Sequence, residues 1–92
     1  MEIILTNAEA AGMPPEMAEH CRELVGRRIE KEFGGPPSPG AEVTILYSET
    51  DPLGKTKEVD DSAYFIYFTV ESVEAHHGGD PHAATVKLSL VM

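Results

Sequence analysis

Tyr64-Phe65-Ile66-Tyr67-Phe68-Thr69-Val70 is the stretch that decides the fold. Aromatic and β-branched side chains dominate it, and these suit a pleated, half-buried surface better than a helix, where they lose side-chain freedom. It therefore reads as a strand, flanked on its far side by Glu71, Ser72, Val73 and Glu74. Downstream, His76 to His82 (HHGGDPH) holds Gly-Gly and Asp-Pro, a turn signal. Val86, Leu88, Leu90 and Met92 then alternate with Thr85, Lys87, Ser89 and Val91, the period of a half-buried strand. The two segments and their loop predict a β-hairpin.

Upstream, Val43-Thr44-Ile45-Leu46-Tyr47 predicts another strand, with Val43, Ile45 and Tyr47 on one face. Ser48 to Asp61 contains Asp51-Pro52 and Gly54 and reads as a loop. Between Pro15 and Phe33 the period changes. Met17, Cys21, Leu24, Val25, Ile29 and Phe33 form an apolar stripe at helical spacing. The opposite face carries charges, among them Glu23 and Arg27 in the favourable i, i+4 order. Pro14 and Pro15 suit a first helical turn, where unpaired amides are expected anyway. Gly34-Gly35-Pro36-Pro37 ends the helix and opens a stiff linker to Gly40. Met1 to Thr6 is a short apolar strand, and Asn7 to Gly12 is a connector. The predicted order is β-α-β-β-β: an α+β fold with one amphipathic helix on one face of a four-stranded sheet. With a single helix, the second sheet face must meet solvent, a partner or a second copy as a homodimer.

The chain has 92 residues, which is one domain, 1–92, with a thin core. Sixteen acids against seven Lys and Arg give −9. That balance argues against direct nucleic-acid binding, which needs cations to neutralise phosphates, and against an anionic membrane. No apolar run approaches the ~18 residues of a membrane span, and no secretory signal is visible. One cysteine, Cys21, excludes an intrachain disulfide, and a cytoplasmic, reducing home is expected. The charge is unevenly distributed. Pro15 to Phe33 holds five acids and four bases, whereas Glu42 to Asp80 holds nine acids and two bases. Such clustering suits either a solvated surface or docking on a basic protein. The candidate docking residues are Glu49, Asp51, Glu58, Asp60, Asp61, Tyr64 and Tyr67.

His76, His77, Asp80 and His82 are the one group with metal-ligand chemistry, by donor type suited to zinc, nickel or copper. All four sit in one turn, where the simpler reading is an exposed polar loop. Glu58, Asp60 and Asp61 are adjacent carboxylates without pocket-forming neighbours, and Cys21 falls within the apolar stripe, as a small hydrophobe does. Gly54-Lys55-Thr56 lacks the upstream glycine of a phosphate-binding loop. No cofactor is expected, and the sequence points away from an enzyme.

Met13-Pro14, Glu23-Leu24, Arg28-Ile29 and Phe33, followed by Val43 to Tyr47, resemble the DinI-like family of DNA-damage-inducible proteins. The opening strand and Gly54-Lys55-Thr56-Lys57-Glu58 are similar to that family as well. The likeness covers residues 1 to 60. It implies a small acidic modulator of the RecA recombinase filament, acting through an acidic second helix. After Glu58 the family continues with a charged helix, whereas this chain offers Tyr64 to Val70, so no residue from 59 onward is carried over. A virus-encoded inhibitor of a host defence complex, of the anti-CRISPR kind, is a second form of the same expectation, by analogy of size, charge and fold. A metal- or small-ligand-binding domain using the histidine loop and a self-assembling subunit are the alternatives.

Overall fold

The apolar periods come together in a computed structural model that describes residues 1–53, 63–75 and 84–91. Strand β1 (Glu2–Leu5) leads to helix α1 (Pro15–Phe33), then β2 (Glu42–Tyr47), β3 (Tyr64–Ala75) and β4 (Ala84–Leu90). The strands form one sheet in the order β1-β4-β3-β2. β3 is antiparallel to both neighbours, while β1 is parallel to β4. Consequently β1 and β2 run in the same direction at opposite edges, and α1 crosses between them while packing against both. The expected architecture, one helix on a four-stranded sheet, is the one observed.

The helix begins with Pro15 at its first position and ends where Gly34 adopts a left-handed φ of 67°. The Gly34 amide donates to the Glu30 carbonyl at 3.0 Å. Cys21, Val25 and Ile29 form the centre of the buried stripe, each 0% exposed, and Ala18 joins them. Met17 and Leu24 are half-buried, whereas Phe33 is exposed, contrary to the expected stripe. Helical geometry accounts for this. A ladder of i, i+4 steps turns by about 40° per step, so from Met17 to Phe33 it swings by roughly 160°. Its two ends cannot both face a sheet.

Below the helix lie Val43, Ile45 and Tyr47 of β2, Ile66, Phe68 and Val70 of β3, and Val86 and Leu88 of β4, all buried. Ile3 and Leu5 of β1 pack at the margin of this core. β3 runs past Val70, further than its alternation suggested, because the register shifts between Val70 and Ser72. The bulge lets Val70 pair with Leu88 and Val73 with Val86, so two valines three apart both face the core. The linker is tied in as well. The Gly40 amide donates to the Val70 carbonyl at 2.8 Å, and the Val70 amide to the Ala41 carbonyl at 2.9 Å.

Beyond β1, Asn7 acts as an extra rung of the sheet. Its Nδ2 donates to the Leu90 carbonyl at 3.2 Å, and its Oδ1 accepts from the Leu90 amide at 2.7 Å.

Candidate protein-interaction face

Cross-strand register assigns each side chain to a face, since residues directly opposite share one. The face away from α1 carries Leu46 opposite Phe65 and Thr44 opposite Tyr67. Val91 joins them, its amide donating to the Tyr67 carbonyl at 2.9 Å. Phe65 is 60% exposed, Leu46 56%, and Tyr67 and Val91 53% each. The Phe65 and Tyr67 rings lie 6.5 Å apart, within stacking range. The four gather large apolar side chains on one exposed face, the feature that makes it the candidate interaction surface.

Along the strands the same face changes character. Next to the apolar end comes a belt in which Thr69 pairs with Ser89 on one side and Glu42 on the other. At the far end stand Glu2, Glu71 and Glu74, with Lys87 among them. Here Thr6 Oγ1 donates to Glu71 Oε1 at 3.0 Å and Thr85 Oγ1 to Glu2 Oε1 at 3.3 Å. The open face thus grades from aromatic to acidic.

The expected docking residues fall in different places. Tyr67 is on the open face. Tyr64 is not, because an odd spacing in a strand puts two residues on opposite sides. Tyr64 sits opposite Tyr47 at the end of the helix-covered face, their rings 5.8 Å apart. Phe65 and Leu46, which the sequence reading missed, are the residues that accompany Tyr67. The signal was present, since Phe65 and Tyr67 share a parity that Tyr64 lacks.

Glu49 is exposed just past β2 and stands close enough to the Tyr47 and Tyr64 hydroxyls to add to their raised pKa, of which burial is the first cause. Asp51 is half-buried in a turn whose amide donates to Ser48 Oγ at 3.2 Å. That turn is pinned to the helix: Arg27 donates one guanidinium nitrogen to the Leu53 carbonyl at 3.3 Å and another to Glu23 at 2.6 Å. Glu58, Asp60 and Asp61 lie outside the described residues, as do His76, His77, Asp80 and His82. Among the described residues no group of three His, Cys, Asp or Glu could hold a metal ion. Cys21 is sealed in the core, where burial pushes its thiol pKa up to about 11, so it is no nucleophile at neutral pH. No described helix is long and apolar enough to cross a membrane. No protein-family model matches the chain, and neither a curated protein nor a solved structure resembles it significantly.

Proposed function

We propose that this chain is a small, non-catalytic cytoplasmic protein that binds a protein partner with a basic, nucleic-acid-handling surface and modulates or blocks it. The observation that carries the reading is the open sheet face, with Leu46, Phe65, Tyr67 and Val91 each more than half exposed at one end and acids at the other. Large apolar side chains at such a site supply the affinity, and flanking charge supplies steering and register. A net charge of −9 selects a basic partner. A DinI-like modulator of a recombinase and a virus-encoded inhibitor of the anti-CRISPR kind are the two forms of this function. The likeness over residues 1 to 60 supports the first, and small size with strong acidity supports both.

The test is affinity capture from the native host followed by titration of the purified partner. Replacing Phe65 and Tyr67 together by Ala should weaken binding about a hundredfold, as losing two central aromatic anchors does. Tyr64→Ala should do much less. Wild-type affinity should fall as salt rises, and Glu49→Lys with Asp51→Lys should slow association. Binding that ignores salt and survives the Phe65/Tyr67 double variant would sink the reading. So would light scattering showing that the open face is occupied by a second copy.

A further inference from the structure

We infer that the outer edge of β2 is a strand-addition site for an extended acidic segment of another protein. Among the described residues β2 has a strand neighbour only on its β3 side. The Val70 amide bond to the Ala41 carbonyl fixes the phase of that ladder. Counting from it, Val43, Ile45 and Tyr47 exchange bonds with β3, while the peptide groups of Thr44 and Leu46 point outward. No hydrogen bond among the described residues takes up those outward groups. The edge also lacks the usual protection: Glu42 to Tyr47 contains no lysine, no proline and no bulge.

What flanks this edge decides its occupant. A groove of about 190 Å³ runs between Thr44–Leu46 and the helix, with Leu24 apolar and Arg27, Arg28 and Lys31 cationic. Arg27 and Arg28 hold exposed pairs with Glu23 and Glu32, and pairs of that kind exchange partners at little cost. An incoming strand would alternate its side chains, one set toward Leu46 and Thr44 on the open face and the other toward the three cations. Acids on the second set are therefore matched. A second copy is not. Pairing β2 with β2 would bring the cations of two helices together across the seam, so the same residues that attract an acidic strand oppose self-association. The other sheet edge, β1, has only four residues, and the groove beside it mixes Arg22, Arg27 and Lys31 with the acids Glu23 and Glu30.

The experiment is a titration of the ¹⁵N-labelled protein with a short peptide alternating glutamate and valine, to about 1 mM, the weak limit of a specific contact. Shifts should concentrate at Glu42–Tyr47 and along residues 24–31 of the helix. A lysine-valine peptide should bind about tenfold more weakly, and so should the glutamate peptide to the Arg27→Gln, Arg28→Gln, Lys31→Gln variant. N-methylation of the peptide at its pairing amides should abolish binding. Phe65→Ala with Tyr67→Ala should leave it unchanged, which separates this site from the open face. No binding, equal binding of both peptides, or loss in the Phe65/Tyr67 variant would overturn the inference. A wild-type dimer dissolved by Thr44→Pro, which removes an outward amide, would also overturn it.

Discussion

Gly26 sits in the middle of α1, where glycine costs about 1 kcal/mol relative to alanine. A methyl group there would stand 3.7 Å from Ile3 Cγ1, an ordinary contact. Gly26→Ala should thus stabilise the protein, raising Tm by about 4–8 °C per kcal/mol in a domain of this size. Calorimetry showing a lower Tm would mean that α1 and β1 already touch too closely for a methyl. Gly34 is the opposite case. Its φ of +67° is one that side-chain-bearing residues adopt at a cost of about 1–2 kcal/mol, so Gly34→Ala should lower Tm although it meets nothing within 4 Å.

At the level of elements, Asn7 extends the β1–β4 ladder with a side-chain amide in place of a peptide group. Asn7→Ala leaves the Leu90 amide and carbonyl without these partners in a part-buried position, a loss of about 1–3 kcal/mol. The denaturant midpoint should drop, and exchange of the Leu90 amide should quicken. An unchanged Leu90 exchange rate would show that water replaces the side chain. Nothing in the sequence foretold this role, because Asn7 meets its partner 83 positions away. Elements held by local periodicity were readable. The helix limits, Pro15 and Phe33, follow from its prolines, its stripe and its terminal glycine. The strands of the sheet followed from alternation until the bulge at Glu71 broke the period and hid the second half of β3. Membership of the open face was readable only by parity: Tyr67 lies on it and Tyr64 on the helix-covered face, while Leu46 gives no signal of its own because its partner lies on another strand.

At the scale of the whole molecule, three protons among the described residues depend on the fold. Cys21 holds its thiol proton to about pH 11 against an ordinary 9.0, and the Tyr47 and Tyr64 hydroxyls are also raised, chiefly by burial. The folded state keeps these protons while the unfolded chain releases them. The thiol's contribution, about 3 kcal/mol, is complete below pH 9.0 and is lost as pH climbs toward 11, and the raised tyrosines add to the loss at high pH. Urea midpoints should hold steady up to about pH 8 and fall by pH 10.5, less steeply in Cys21→Ala; a flat profile would place the thiol in water. The sheet order has a consequence of another kind. Among the described strands β1 pairs with β4 alone, so the earliest of these four to be synthesised has no place in the sheet until the latest of the four has been made. Completion of the sheet cannot run along with translation. The nascent chain must carry Ile3, Ile4 and Leu5 unpaired through elongation, and a transcript cut short before Ala84 would yield a chain whose β1 has nothing to join.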